Sequence, residues 1–199
     1  MSRLSRRRPT RVVGFAILVL LVAAACGDAA ASFDPTAPCT AQSGDGQAPG
    51  VYADLEATLP KSYEGTPPSK VDSGRACSAQ ALGPLASHGV GQMRFAGAVW
   101  DLGGGKGVSM AVFEADALTP AALADFYQQQ AQSASRTNAV NATDVDVAGR
   151  HGRRLDVLFG ESHQTLVFWP DADGRRVRAL IAADIGDAKV AQALTTFGG

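Results

Sequence analysis

The stretch MRFAGAVWDLGGGKGVSMAVF, residues 93–113, indicates how this chain folds. Apolar and small or polar residues alternate before and after its centre, as they do in strands, where successive side chains point to opposite faces of a sheet. The glycine-rich run Gly103–Gly107 stands between the two alternating parts. Such a run is typical of a tight hairpin turn, so the stretch predicts two antiparallel strands joined by a hairpin.

A helix is predicted directly after this hairpin. Thr119 can cap its first turn, Pro120 suits its first position, and Leu118 is placed to pack onto Leu123. The apolar residues that follow keep helical spacing: Leu123, Phe126, Tyr127 and Gln130 or Ala131.

A second group of strands and a closing helix complete the pattern. Alternation predicts strands at 144–148, 154–159, 165–169 and 176–183, with Asp173-Gly174 as the turn between the last two. Asp187 can cap a helix whose apolar stripe is Val190, Leu194 and Phe197 and which ends at Gly198. The order ββα-ββββα predicts an α+β fold, an antiparallel sheet with helices packed on one face. Earlier in the chain, short helices are predicted at 54–59 and from Ser78 towards His88.

Two parts of the chain share a layout of tryptophan, glycine turn, strand, Ala-Asp, cap and helix: Trp100 to Tyr127 and Trp169 to Phe197. An internal duplication is one interpretation of this layout. The order of elements is also similar to that of bacterial lipoproteins with a PsbP-like sandwich domain. That resemblance rests on element order and implies an α+β sandwich.

The first 25 residues have the pattern of an export signal. Five arginines, Arg3, Arg6, Arg7, Arg8 and Arg11, precede an apolar run from Val12 to Ala25. Positive charge ahead of the run keeps its start on the cytoplasmic side of the membrane. The run has 14 residues, whereas a spanning helix needs roughly 20, so a cleavable signal is predicted.

The end of this signal, Leu21-Val22-Ala23-Ala24-Ala25-Cys26, resembles the lipobox of bacterial lipoproteins. In that family a diacylglyceryl group is attached to the cysteine thiol and the chain is cut just before it. The resemblance implies a palmitate-type lipid anchor on Cys26 and a place on the extracytoplasmic side of the cell membrane. Ala23-Ala24-Ala25 also fits ordinary signal cleavage, which implies a soluble secreted protein instead.

Composition sets limits on the mature chain from Cys26 to Gly199. Residues 26–50 are small, polar and rich in glycine and proline, which predicts a flexible linker, and residues 51–199 are long enough for a single domain. Once the leader arginines are removed, 13 basic residues face 19 acidic ones, a formal charge of −6. A chain of that charge is a poor candidate for nucleic-acid binding.

Two cysteines remain in the mature chain, Cys39 and Cys77. An exported protein meets an oxidising compartment, so a disulfide between them is predicted. Two free thiols or a metal pair are the alternatives, although no Cys-x-x-Cys spacing or neighbouring histidine favours metal.

Several short motifs resemble catalytic or metal sites without meeting their requirements. Gly103–Gly107 is followed by a strand, whereas a phosphate-binding loop precedes a helix. Gly160-Glu161-Ser162-His163 lacks the second glycine of a nucleophile elbow, and Asp171-Ala172-Asp173-Gly174 lacks the final glutamate of a calcium loop. The histidines are scattered, at 88, 151 and 163. No catalytic residue, metal or cofactor is therefore predicted, although an enzyme with a dispersed active site stays open.

One group of arginines is a candidate binding site. Arg176 and Arg178 lie two residues apart on one predicted strand, and Arg154 lies on a strand that is expected to be its neighbour. They could form a basic patch for phospholipid headgroups or an anionic wall polymer. The alternative is a solvated sheet face in which Asp156 lies beside them.

These observations favour a non-enzymatic module that binds a protein, lipid or anionic polymer at the cell envelope. A second hypothesis is a carrier for an apolar or lipid ligand. Its candidate cavity residues are aromatic, and core packing explains them equally well: Trp100, Phe113, Phe159, Phe168 and Trp169.

Overall fold

The computed structural model describes residues 33–198. They form an α+β domain with four α-helices and one sheet of eight antiparallel strands. In chain order the elements are β1 Gly46–Ala48, α1 Ala53–Glu56, β2 Lys70–Ala76, α2 Ala79–Leu82, β3 Met93–Gly103, β4 Lys106–Glu114, α3 Pro120–Ser133, β5 Thr137–Val147, β6 Arg150–Phe159, β7 Ser162–Pro170, β8 Arg176–Ala183 and α4 Asp187–Gly198.

The strands lie in the order β1-β2-β3-β4-β8-β7-β6-β5. The predicted hairpin is confirmed as β3 and β4, with Gly103 opposite Lys106 across the turn. Three residues of this turn, Gly103, Gly104 and Gly105, have positive φ, which glycine adopts without steric cost. The other predicted strands are present too, and β5 and β6 begin several residues earlier than expected.

Helix α3 begins as the sequence predicts. The Thr119 hydroxyl accepts a hydrogen bond from the Ala122 amide and Pro120 occupies the first turn. The predicted helix after Ser78 is interrupted: α2 ends at Leu82, a 3₁₀ helix continues from Gly83 to His88, and Gly89 closes it with left-handed φ. Gly83 and Pro84 cause this break because neither residue favours a continuous α-helix.

The expectation that helices pack on one face of the sheet is wrong, because both faces are covered. One face carries Phe95, Phe113 and Leu166, which pack against α3. The opposite face carries Trp100, Met110 and Trp169, which pack against α1 and α4. The central strands are apolar at both odd and even positions, so each face needs its own cover. The result is a three-layer domain with the sheet in the middle.

The expected boundary between linker and domain at residue 50 is also wrong for the described part of the linker. Residues 33–50 pack on the domain, and β1 pairs with β2. Both β1 and β2 were absent from the predicted order. The mix of glycine and polar residues that indicated a flexible segment belongs to turns around a short edge strand. Residues 26–32 lie outside the described range.

The shared layout corresponds to a symmetric order of the four central strands, β3-β4-β8-β7, but not to a symmetric placement of the helices. Ala111 and Ala179 face each other across β4 and β8, and they occupy the same step of the shared layout. A two-fold axis perpendicular to the sheet at this pair relates the two halves without exchanging the two faces of the sheet. Helices related by that axis would therefore lie on the same face. Helices α3 and α4 nevertheless lie on opposite faces, so the shared layout does not extend to a symmetric packing.

Candidate functional site

An open cleft of ≈ 990 Å³ lies at the end of the sheet where β4 ends and β8 begins. The loop between β4 and α3 and the turn between β7 and β8 form its rim. Its charged lining residues are three arginines and three acids: Arg94, Arg175, Arg176, Glu114, Asp116 and Asp173.

Three of these charged side chains form a row across neighbouring strands. Arg94 lies opposite Glu114, and Glu114 lies opposite Arg176. The Arg176 Nε donates to Glu114 Oε2 at 2.7 Å, and Arg94 donates to the other carboxylate oxygen. Burial alone raises the pKa of Glu114, but the two guanidiniums outweigh that effect and hold the pKa below its usual value. Two positive charges therefore flank one carboxylate that is ionised at neutral pH.

The remaining three charged residues lie on the exposed rim. Asp116 stands in the loop between β4 and α3, next to Ala117, whose φ of 60° turns the chain towards the helix. Asp173 accepts a hydrogen bond from the Arg175 amide at 3.0 Å, which shapes the turn before β8. Both loops are exposed, so the rim is the part of the cleft that meets a ligand first.

The N-terminal segment, residues 33–45, is fastened beside this cleft by Arg75. The Arg75 guanidinium is buried and donates to four backbone carbonyls, at Asp34, Pro35, Ala37 and Gly44, over 2.6–3.3 Å. It also lies 5.6 Å from the ring centre of Phe33. One side chain of β2 thus holds most of the segment in place.

The predicted disulfide between Cys39 and Cys77 is confirmed. Cys39 lines the cleft, so the bond attaches the segment to the sheet at the same end. Asp45 supports the junction, since its carboxylate accepts from the amides of Cys77 and Ser78 at 2.5 and 2.8 Å. Burial opposes ionisation of Asp45, but these bonds and one from the Ser78 hydroxyl keep its pKa below the usual value.

The three arginines of the predicted basic patch lie on one face of the sheet but do not form an unpaired patch. Strand β7 separates β6 from β8, so Arg154 is not on a strand next to Arg176 and Arg178. Arg154 binds Asp156 at 2.8 Å and Asp187 at 2.7 Å. Arg178 binds Asp171 at 2.9 Å and stacks on the Phe197 ring at 4.9 Å. Only Arg176 lines the cleft.

The predicted cavity aromatics are divided between the two faces of the sheet. Phe113 and Phe168 lie on the α3 side, whereas Trp100 and Trp169 lie on the other. An apolar pocket beside Phe159 measures ≈ 50 Å³, far below the roughly 300 Å³ of a small-molecule site. That pocket gives an apolar ligand little room, whereas a more open groove beside the Cys39–Cys77 disulfide measures ≈ 320 Å³.

Sequence reasoning missed Arg94 and Glu114. A signal for the pair exists, since the two residues stand ten before and ten after Gly104, the middle of the hairpin turn. Antiparallel pairing across a tight turn places such residues opposite each other. The predicted lipid-bearing residue, Cys26, lies outside the described residues.

Neither models of protein families nor curated proteins give a match to this chain. Between residues 33 and 198, no helix is both long enough and apolar enough to cross a membrane. The same part of the chain has no group of three His, Cys, Asp or Glu side chains placed to hold a metal ion.

Proposed function

We propose that this protein is a membrane-anchored, extracytoplasmic lipoprotein that acts as a non-enzymatic binding module at the cell envelope. The lipobox-like end of the leader supports the anchor, and the disulfide supports an oxidising compartment. The resemblance in element order to PsbP-like lipoprotein domains is in line with this class.

The observation that carries the binding role is the cleft at the end of the sheet. A cavity of ≈ 990 Å³ lined by both signs of charge is suited to a small polar ligand that has an anionic and a cationic group. Arginines bind phosphate or carboxylate oxygens through paired N–H donors. Asp116 and Asp173 on the rim are acceptors for an ammonium group.

The experiment is calorimetric titration of the purified lipidated protein in non-ionic detergent. The first probe is O-phosphoethanolamine, which has an anionic phosphate and a cationic ammonium group. The other two probes are glycerol 3-phosphate, which has only the phosphate, and ethanolamine, which has only the ammonium group. We expect the zwitterion to bind more tightly than either single-charge probe. The Arg175→Ala variant should weaken its binding by roughly three- to tenfold, the loss of one partly exposed charged hydrogen bond.

Arg136→Ala is the matched control, because Arg136 is an exposed arginine at the opposite end of the sheet. It should leave the affinity unchanged. Equal loss in both variants, or no binding of any probe, contradicts the cleft as the binding site.

A further inference from the structure

The described chain begins at the same end of the sheet as the cleft. Phe33 packs on Arg75, and Cys39, six residues later, lines the cleft itself. Only residues 27–32 separate Phe33 from Cys26. Seven residue steps span at most about 25 Å when fully extended.

We propose that the cleft end of the domain faces the bilayer that holds the anchor, and that the cleft takes the phosphoethanolamine headgroup of a phospholipid. This inference rests on the proposed function, because it needs the lipid on Cys26 and ligand binding in the cleft. The short connection holds Phe33, at the cleft end of the sheet, within about 25 Å of the anchored residue. Headgroups are then the most concentrated polar ligands within reach of the cleft.

Charge selects the type of headgroup. The mature chain has a formal charge of −6, so an anionic membrane surface repels it. A zwitterionic surface does not. Within the cleft, Arg94, Arg175 and Arg176 can take the phosphate, while Asp116 and Asp173 can accept hydrogen bonds from a primary ammonium group. The quaternary ammonium of phosphatidylcholine has no N–H to donate, so phosphatidylethanolamine is the better fit.

The test is hydrogen–deuterium exchange of the lipidated, full-length mature protein in nanodiscs. The bilayers are phosphatidylcholine alone, or phosphatidylcholine mixed with phosphatidylethanolamine or with phosphatidylglycerol. We expect slower exchange at 115–119 and 171–175 in the phosphatidylethanolamine discs only. The hairpin at 103–106, at the far end of the sheet, is the internal reference and should exchange alike in all three.

Three variants test the assignment further. Arg175→Glu should remove the protection, whereas Arg136→Glu, which makes the same charge change at the far end, should preserve it. Insertion of a flexible linker of about 20 residues between Ala30 and Ala31 lowers the effective headgroup concentration about eightfold, and protection should fall with it.

Equal protection in all three bilayers, or none in any, overturns the inference. If O-phosphoethanolamine still binds the detergent-solubilised protein, the proposed function survives that outcome. If a zwitterionic dipeptide binds the solubilised protein as tightly as O-phosphoethanolamine, the cleft is a peptide site and the headgroup assignment is wrong. A failure of all probes and all bilayers removes both proposals together.

Discussion

The two ends of the sheet are built differently. At the cleft end, the segment 33–45 is attached by a disulfide and by Arg75, and charged residues form a row across the strands. At the far end, the hairpin at Gly103–Lys106 and the turn at Gly160 are closed by glycines with positive φ. A glycine turn forms through its backbone conformation, whereas the attached segment and the row of charged residues are held by side-chain contacts. The far end has side-chain interactions of its own, among them the bond from the His163 amide to Asp184 Oδ1, so the contrast lies in how the turns and the attached segment are formed.

Among the single interactions at the cleft end, removal of the disulfide should cause the largest loss of unfolding free energy. Its cysteines are 38 residues apart, and the chain-entropy estimate for such a loop is about 4 kcal/mol. The double variant Cys39→Ser/Cys77→Ser should lose about that much unfolding free energy in urea titration. Adding a reductant to the wild-type protein should reproduce the loss, and adding it to the variant should change nothing. A loss under roughly 1 kcal/mol contradicts a structural role for the bond.

Replacement of Arg75 should cause the second-largest loss of unfolding free energy. Replacing Arg75 with Met keeps much of the apolar stem and removes the donors to four carbonyls. We expect a loss of about 2–3 kcal/mol, because charged hydrogen bonds are lost while the freed carbonyls regain water. Limited proteolysis should then cut within 33–45 while the rest of the domain stays intact. Arg136→Met, at the far end, is the control, and equal sensitivity of the two variants contradicts the contrast between the ends.

The Glu114 carboxylate should give a smaller, pH-dependent effect. Its pKa is lower in the folded protein than in the unfolded chain, where it is about 4.3. Its stabilisation is therefore complete above the unfolded pKa and is lost as the pH falls through the folded pKa. At neutral pH, Glu114→Gln should cost about 1–2 kcal/mol, allowing for its partial exposure.

Unfolding measurements of the same two proteins at acidic pH test whether ionisation of Glu114 is the cause. Below the folded pKa both proteins have a neutral side chain at position 114, so their unfolding free energies should converge. Thermal or urea unfolding between about pH 7 and pH 3 measures the two curves. A constant difference across this range contradicts ionisation of Glu114 as the cause.

Local patterns predicted the elements formed by residues close in sequence better than the contacts between residues far apart in sequence. The β3–β4 hairpin and the cap at Thr119 depend on residues close in sequence, and both are confirmed. Arg75 contacts carbonyls more than 30 residues away, which no short window shows. Alternation also indicated which residues share a strand face, but it gave no order for the strands. Arg154 was therefore placed beside Arg176, although β7 separates their strands.

The apolar pattern contained a signal for the second covered face that the prediction did not use. In β8, Val177, Ala179 and Ile181 pack on the α3 side, while Leu180 and Ala182 pack on the other. A strand that is apolar at nearly every position is typical of a sheet with both faces covered. The cleft depends on this arrangement, since α3 begins at its rim.

The smallest effect should come from the far end of the sheet. Lys106 is exposed in the β3–β4 hairpin, and Lys106→Ala leaves all three glycines of positive φ in place. We expect a change within about 0.5 kcal/mol in urea unfolding and no change in O-phosphoethanolamine binding. Gly104→Val in the same turn is the informative partner, because φ there is 63° and a β-branched residue is strained at that angle. If Lys106→Ala is as costly as Glu114→Gln, the hairpin at the far end also depends on side-chain interactions and the contrast between the two ends does not hold.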